Sequence, residues 1–182
     1  TGGLWQSQNY GNNWFAADVP LGPSWFGVHV TPNGQYYLAT AHGGGIWISQ
    51  DYGNDWTESN APLQNWTEPT SSTTGQLVMA GSNGGGIWYS TNYGQTFTQS
   101  DAPLGVDFRA ISSSTTAQYV AAAAYTGPQG GIWLSTDFGH TWALNLNSPS
   151  GPHTAWNAMG SSATGEYLVS AEYDQSIWLT TS

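Results

Sequence analysis

The stretch Ser49-Gln-Asp51-Tyr-Gly53-Asn-Asp-Trp56 occurs in four versions along this chain, and its recurrence determines the predicted fold. Each version has a serine, then an aspartate or asparagine, a glycine and an aromatic residue at fixed spacing. The four sets are Ser7, Asn9, Gly11 and Trp14; Ser49, Asp51, Gly53 and Trp56; Ser90, Asn92, Gly94 and Phe97; and Ser135, Asp137, Gly139 and Trp142. The spacing predicts a tight turn, in which the Asp or Asn oxygen accepts backbone N–H groups and the glycine takes a positive φ.

Two further sequence motifs recur with the same period as these turns. Gly-(Ile/Leu)-Trp ends at Trp5, Trp47, Trp88 and Trp133, with a degenerate copy at Trp178, and the successive gaps are 42, 41, 45 and 45 residues. An aromatic residue also stands nine residues before a turn position in each repeat: Trp25 before Gly34, Trp66 before Gly75, Phe108 before Ala117 and Trp156 before Gly165. A period of this length is typical of the four-stranded blades of β-propellers.

The repeats divide the 182 residues into units at about 1–18, 19–60, 61–101, 102–147 and 148–182 of one propeller domain. Strand A is predicted to begin at the aromatic residue of each unit, and strand C carries the Gly-Ile-Trp element. Strand B is predicted at 36–40, 76–80, 118–122 and 166–170, and strand D at 55–58, 96–99 and 141–144. The alanine run 121–124 favours helix on its own, but its register with strand B of the other units predicts strand. The expected fold is therefore all-β, with about four blades of four antiparallel strands.

The units contain one strand more than four blades require, because the first unit supplies strands C and D and the last supplies A, B and C. Three arrangements remain open at this point. The chain closes as a four-bladed ring with a loose terminal strand, shares the surplus strand with a neighbouring molecule, or belongs to a longer propeller. Pairing at a terminus removes exposed sheet edges, and head-to-tail sharing generates rings or filaments.

The four turns resemble the Asp-box, Ser-x-Asp-x-Gly-x-x-Trp, of sialidases, sortilin-type receptors and two-domain xyloglucanases. The resemblance implies a β-propeller but no single activity, because those families do different things. In sialidases it would also imply three arginines that hold the substrate carboxylate, and this chain contains only Arg109. A sialidase site is therefore excluded. A calcium loop is another interpretation of repeated Asp turns, but two of the four carry asparagine, so we predict structural turns without metal.

Charge and composition exclude several classes of partner. The chain has eleven Asp and Glu against one arginine and no lysine, for a formal net charge of −10. It lacks the cations that displace phosphate counterions, so no nucleic-acid partner is expected. No apolar run reaches the roughly 18 residues needed to cross a bilayer, so no membrane insertion is expected. The absence of cysteine excludes disulfides and thiolate chemistry.

The residues capable of catalysis are scattered over the predicted blades. The candidate carboxylates for glycoside hydrolysis come from different blades without a repeated pairing. They are Asp101, Asp107, Glu172 and Asp174, with Glu68 near the start of its strand A. The four histidines occupy four different blade positions, which argues against a zinc cluster. They are His29, His42, His140 and His153. No cofactor is expected, and Arg109 is predicted to form a structural ion pair with Glu68 in the central channel.

One predicted face combines aromatic residues that open strand A with residues of the B-to-C loops. Aromatic rings stack on sugar rings, so this face is a candidate glycan-binding surface, with core packing as the alternative. Its members are Trp25, His42, Trp66, Asn83, Phe108, Tyr125, Trp156 and Tyr173. Asn65-Trp66-Thr67 is the one intact N-glycosylation sequon, so Asn65 is a candidate glycan acceptor in a secreted protein.

The sequence as a whole predicts a non-catalytic structural or interaction propeller, extracellular or displayed at the cell surface. Its expected partners are copies of itself, as in a filament, or another extracellular protein, with glycans as further ligands. A carbohydrate-binding propeller is the alternative, and a glycoside hydrolase comes third.

Overall fold

The computed structural model of the chain describes residues 2–20, 23–125, 129–147, 155–173 and 177–179. These ranges contain β-strands and no helix, and every strand pair is antiparallel. The first nine strands are β1 (Trp5–Gln6), β2 (Phe15–Ala16), β3 (Ser24–Val30), β4 (Tyr37–Gly44), β5 (Ile46–Ser49), β6 (Thr57–Glu58), β7 (Gln64–Ser71), β8 (Val78–Ser82) and β9 (Gly86–Ser90). The others are β10 (Thr98–Gln99), β11 (Phe108–Ser113), β12 (Val120–Ala124), β13 (Gly131–Ser135), β14 (Ala143–Leu144), β15 (Trp156–Ser161), β16 (Leu168–Glu172) and β17 (Ile177–Leu179).

The strands pair in chain order and form the predicted repeat. A hairpin of β1 and β2 comes first, and we call it the N-terminal hairpin. Blade 1 consists of β3–β6, blade 2 of β7–β10, blade 3 of β11–β14, and blade 4 of β15–β17. A short pairing between β4 and β7 joins blades 1 and 2 into one sheet. The prediction of an all-β, propeller-like fold is confirmed.

Two predicted strand types have different bounds in the structure. Strand B begins one or two residues later than predicted, at residues 37, 78, 120 and 168. Strand D has only two residues in each of blades 1 to 3. It cannot begin earlier, because the preceding N–H groups bind side-chain oxygens of the turn instead of a neighbouring strand: Asp55 N–H, for example, donates to Asp51 at 2.9 Å. The alanine run lies in β12, as its register predicted.

The core lies between blades and uses the same positions repeatedly. The aromatic that opens strand A packs edge-on against the tryptophan of strand C in the same blade, as in Trp66–Trp88 and Phe108–Trp133. The isoleucine before that tryptophan, such as Ile46, packs against the strand A aromatic of the next blade, here Trp66. Each blade therefore needs its successor to complete its own core.

The turn between strands A and B has a positive φ in every blade. It is occupied by Gly34, Gly75, Ala117 and Gly165, with φ values of 73°, 76°, 58° and 81°. In blade 2 the turn lies against blade 1, because a Cβ on Gly75 would stand 2.7 Å from Cδ2 of Tyr36. Glycine there serves both the backbone conformation and a close inter-blade approach.

The four blades form an open array in the described residues. Strand A of each blade contacts strand A of the next, in the order β3, β7, β11, β15. No comparable contact joins β15 back to β3 within the described ranges. The described strands therefore do not close into a ring.

Candidate functional site

The four serine-containing turns share one hydrogen-bonding pattern, which the second copy illustrates. Ser49 Oγ accepts the N–H of Gly53 at 2.9 Å and donates to Asp51 Oδ1 at 2.8 Å. Asp51 Oδ1 accepts the N–H of Asp55, and Trp56 Nε1 donates to the Gly53 carbonyl at 3.1 Å, a bond that Phe97 cannot make in the third turn. In the other turns the same Gly N–H bonds measure 2.9, 3.0 and 3.0 Å, at Gly11, Gly94 and Gly139. Asparagine makes the shared bonds as well as aspartate, because they need only Oδ1; Asp51 Oδ2 additionally accepts the N–H of Asp55 at 3.2 Å, and Asp137 Oδ2 accepts the Thr141 hydroxyl at 2.7 Å.

The residue before each turn glycine is an aromatic in the left-handed backbone region. Tyr10, Tyr52, Tyr93 and Phe138 have φ values between 58° and 65°. This conformation costs an ordinary residue roughly 1–2 kcal/mol, so the turn's side-chain bonds must hold it. In blade 2 the aromatic ring packs between blades, because Tyr93 stacks on Tyr36 of blade 1 at 4.9 Å between ring centroids. This positive φ at an aromatic residue was not predicted from the repeat pattern.

Hydrogen bonds lower the pKa of the two turn aspartates. For Asp51 the largest cause is the N–H of Asp55, followed by the Ser49 hydroxyl. For Asp137 desolvation, the largest single effect, raises the pKa, but the bonds from Thr141 and Ser135 outweigh it and the net pKa is lowered. Both carboxylates therefore support the fold in their charged form.

A second type of inter-blade contact, a hydrogen bond from a backbone N–H to a side-chain oxygen, was not predicted from the sequence. Asn60 Oδ1 accepts the N–H of Phe97 in the next blade at 2.7 Å, and Asp101 Oδ1 accepts the N–H of Trp142 at 2.8 Å. The signal was present as a repeated tripeptide, Asn60-Ala-Pro and Asp101-Ala-Pro, with Asp18-Val-Pro in the first unit. Asp101 thus serves in blade-to-blade packing.

For three of the four strand A aromatics in the candidate glycan face, the structure agrees with the alternative prediction of core packing. Trp66, Phe108 and Trp156 are buried, at 0–1% exposure, and cannot stack against an external sugar ring. Trp25 is half-buried and packs edge-on against Trp47. The strand A aromatics are core residues because they fill the space between the C strands of neighbouring blades.

The loop residues predicted on that face lie in separate contacts. His42 stacks on Phe26 at 4.2 Å between ring centroids. Asn83 is bridged to Asp107 through the backbone, and Tyr125 packs edge-on against Tyr173 at 6.5 Å. The structure therefore brings the eight predicted residues near one end of the strands without forming one aromatic surface.

Arg109 does not pair with Glu68, so that prediction is wrong. Its Nη2 lies 2.7 Å from Asp107 Oδ2, and its guanidinium stands 4.5 Å from the centre of the Tyr125 ring. Arg109 pairs with the nearer carboxylate, because Asp107 is only two residues away, just before β11, whereas Glu68 is exposed on β7. Asp107 is thereby occupied by the single cation of the chain.

The remaining predicted residues lie apart. Asn65 is exposed on β7, and its backbone pairs with His42 of β4. His29 lies on β3, where its Nε2 is 2.9 Å from Ser71 Oγ and burial lowers its pKa. Within the described ranges no group of three His, Asp or Glu side chains is placed to hold a metal ion, and no described helix is long and apolar enough to cross a bilayer. His153 and Asp174 lie outside the described residues.

The most distinctive surface is a groove between the N-terminal hairpin and blade 1. It encloses about 450 Å³ and is lined by Leu4, Gln6, Val28, Val30 and Leu38 among others. On β3, Val28 is 69% exposed, whereas Ile111, at the same position of blade 3, is 6% exposed. We call this surface the N-terminal groove. It lies where strands A and B of a preceding blade would pack.

The opposite end of the array, blade 4, is equally exposed. Ile177 is 74% exposed, although the isoleucines at the same position in blades 1 to 3, Ile46, Ile87 and Ile132, are at most 5% exposed. Leu179 and Trp178 of β17 are also exposed, and in the described residues β17 pairs only with β16. In the part of the chain that the structure describes, blade 4 therefore has neither the strand D nor the following blade that bury these positions elsewhere.

Comparison with known proteins bears on the fold. No family model matches the chain, and no curated protein sequence matches it. Its structure is similar to an ancestral GH74 enzyme, with a TM-score of 0.78 and 15% identity over 97% of this chain and 28% of that one. It is also similar to the GH74 xyloglucanase from Xanthomonas campestris, with a TM-score of 0.73 and 13% identity over 98% of this chain and 32% of that one.

A third similar structure is the computationally designed Ika4 protein, with a TM-score of 0.70 and 10% identity over 90% of this chain and 94% of that one. In contrast to Ika4, the two GH74 proteins are much longer than this chain, which spans about a third or less of each. At these identities the likeness establishes a shared β-propeller fold, and it leaves activity open.

Proposed function

We propose that this chain is a non-catalytic structural module of an extracellular or cell-surface assembly, and that its open ends bind further propeller blades, chiefly those of its own copies. The observation that carries the proposal is the paired exposure of Val28 at one end and Ile177 at the other, at positions that interior blades bury. Exposed apolar surface of this kind marks an interaction site.

The chemistry of the two ends suits contact between like molecules. The chain carries a net charge of −10, so two copies repel one another unless their contact surfaces are uncharged. The described lining of the N-terminal groove contains His29 and no Asp, Glu or Arg. Burial lowers the pKa of His29 and so favours its neutral form. A neutral apolar groove allows association despite the overall charge.

The turns support a structural role. They resemble Asp-boxes, and their polar side chains are bonded within the turn or between neighbouring blades, which leaves them no evident chemical task. An extracellular setting agrees with a chain that has no lysine and whose turns resemble the Asp-boxes of sortilin-type receptors.

The test is the mass and shape of the native particle, measured by light scattering and electron microscopy over a hundredfold dilution. We expect oligomers or filaments built through the ends. Val28→Asp places a charge in the groove and is expected to give monomers. Leu63→Asp is the matched control, because Leu63 is an apolar side chain of similar exposure, 70%, immediately before β7 of blade 2. A wild-type chain that stays monomeric at every concentration would overturn the proposal.

Carbohydrate binding is the second candidate, favoured by exposed aromatic rings at the strand A end of the blades. Phe26 is 46% exposed beside His42, and Tyr173 is 58% exposed beside Tyr125. Two of the similar proteins are GH74 enzymes, one of them a xyloglucanase. A glycan array that includes xyloglucan fragments tests this function, and Tyr173→Ala is expected to reduce any binding found.

A further inference from the structure

Two segments of this chain fit the same place in the repeat. In every complete blade the residue before the strand C tryptophan packs against the strand A aromatic of the next blade. Leu4 does so in the N-terminal hairpin, where it is buried with Val19 and Ala39 against Trp25. Ile177 of β17 has the same position relative to Trp178 but remains exposed. Within the described residues, the hairpin therefore has a following blade but no strands A and B, and blade 4 has strands A and B but no following blade.

The two deficits are complementary. The N-terminal groove lies between the hairpin and β3, which is the space that strands A and B of a preceding blade would fill. Within the described residues β1 pairs only with β2, so its other edge is free to pair. Blade 4 presents strands A and B as β15 and β16. A second copy's β15 and β16 are therefore the segments whose repeat register fits the groove.

We infer that two copies of this chain join by strand exchange, in which β1 of one copy displaces β17 of the other and pairs with its β16. This inference rests on the proposed function, because it specifies how the open ends meet. β2 then supplies the missing strand D, and blade 1 becomes the blade that follows blade 4. The joined molecules form an uninterrupted array with no duplicated strand.

The register of the exchanged pair follows from the blades that are complete. In blade 1, Leu38 stands opposite Ile48 and Ala39 opposite Trp47. The pairing of β16 with β17 has the same register, with Val169 opposite Leu179 and Ser170 opposite Trp178. Superposing Trp5 on the strand C tryptophan places Gln6 opposite Val169 of the other copy, Trp5 opposite Ser170 and Leu4 opposite Ala171.

An independent pair of tyrosines fits the same junction. Tyr36 of blade 1 stacks on Tyr93, the turn aromatic of blade 2. Tyr167 occupies the position of Tyr36 in blade 4 and is 53% exposed, and Tyr52 occupies the position of Tyr93 in blade 1 and is 52% exposed. In the joined array, Tyr167 of one copy stacks on Tyr52 of the next. Each tyrosine then gains the partner that its equivalent has within the chain.

Engineered disulfides test the exchange, because the chain has no cysteine of its own. Residues directly opposite on antiparallel strands have Cα atoms about 4.5–5.5 Å apart, within the range that a disulfide spans. The variant Gln6→Cys with Val169→Cys, mildly oxidised in the assembled state, is expected to give a ladder of covalent dimers and higher species on a non-reducing gel. A crosslink confined to single chains means that the chain closes on itself, and it would overturn the inference.

A second variant locks β17 in place. Val169→Cys with Leu179→Cys joins β16 to β17 within one chain, since these residues stand opposite one another. After oxidation we expect assembly to fall at least tenfold, and reduction of the disulfide to restore it in the same sample. Each single-cysteine variant controls for the substitutions, and an unchanged circular dichroism spectrum shows that the locked chain is folded.

The two experiments separate the inference from the proposed function. If the locked chain assembles as well as the reduced one, the ends associate without strand exchange, so the inference fails and the structural role stands. If no form of the chain assembles, both fail. If only the reduced form assembles and the crosslink with Gln6→Cys runs between chains, the strand exchange is established.

Discussion

The difference between Ile87 and Ile177 allows a quantitative test of the open array. Both residues precede the tryptophan of strand C, but Ile87 is 0% exposed in blade 2 and Ile177 is 74% exposed in blade 4. Replacing isoleucine by alanine removes three carbons, worth roughly 0.8 kcal/mol each when fully buried, or about 2.4 kcal/mol. The cavity left behind adds to this, so Ile87→Ala is expected to cost about 3–4 kcal/mol.

The same substitution at Ile177 removes side-chain surface that is only about one quarter buried. Scaling the transfer free energy by that fraction gives about 0.6 kcal/mol for Ile177→Ala. Urea unfolding of both variants, at a concentration where the protein is monomeric, measures the two values directly. The midpoint must not change on further dilution, which verifies that association does not contribute. Ile46→Ala in blade 1 serves as a second buried reference, because Ile46 is also 0% exposed.

A loss of 2 kcal/mol or more for Ile177→Ala in the monomer would refute the reasoning. It would mean that blade 4 is covered in solution, most simply by the N-terminal hairpin of the same chain in a closed ring. A loss near 0.6 kcal/mol agrees with an open end. In that case the assembled form should tolerate Ile177→Ala, because the inferred exchange removes β17 from the sheet.

Two further predictions concern the turns. Asp51→Asn with Asp137→Asn should make the free energy of unfolding less dependent on pH between about 5 and 2. The folded-state pKa of each aspartate is lowered. The stabilisation by each carboxylate is therefore present above its unfolded pKa and is lost as the pH falls through its folded pKa. Urea unfolding at several pH values measures this, and a double variant whose stability falls with acid as steeply as that of the wild type would contradict the prediction. Gly75→Ala should destabilise the chain more than Gly34→Ala, because both positions have positive φ but only at Gly75 would the new Cβ meet a ring, 2.7 Å from Tyr36 Cδ2. We expect about 1 kcal/mol for Gly34→Ala from backbone strain alone and at least twice that for Gly75→Ala, measured by thermal unfolding, and equal losses would argue against the close inter-blade approach.

The repeat made the fold predictable from sequence. Periodic tryptophans and turns set the strand order, and the alanine run 121–124 was assigned to a strand from register, against its helical propensity. The bounds of strand D could not be predicted. They depend on whether an N–H such as that of Asp55 bonds to a neighbouring strand or to the side chain of Asp51, and both outcomes fit the same sequence.

The sites were less predictable than the fold, for two physical reasons. The burial of Trp66 and Phe108 depends on how closely successive blades approach, and a period along the chain does not measure the distance between blades. Arg109 had two candidate carboxylates, and the choice of Asp107 over Glu68 depends on side-chain direction at a register shift in β11. The inter-blade bonds of Asn60 and Asp101 were predictable in principle, since both begin the same repeated tripeptide.

The residue types at the two ends support assembly more strongly than exposure alone. Repeat proteins that remain monomeric cover their terminal repeats with polar residues, and exposed sheet edges are commonly protected by lysine, proline or charge. This chain has no lysine, and its end blades keep the apolar residues of interior blades, with Val28 at the position of Ile111 and Val169 at the position of Leu38. A blade face that was always exposed to water would gain nothing from valines at those positions. The apolar residues are explained if blade 4 is followed by another blade in the working form of the protein, and blade 1 of a second copy has the register to be that blade.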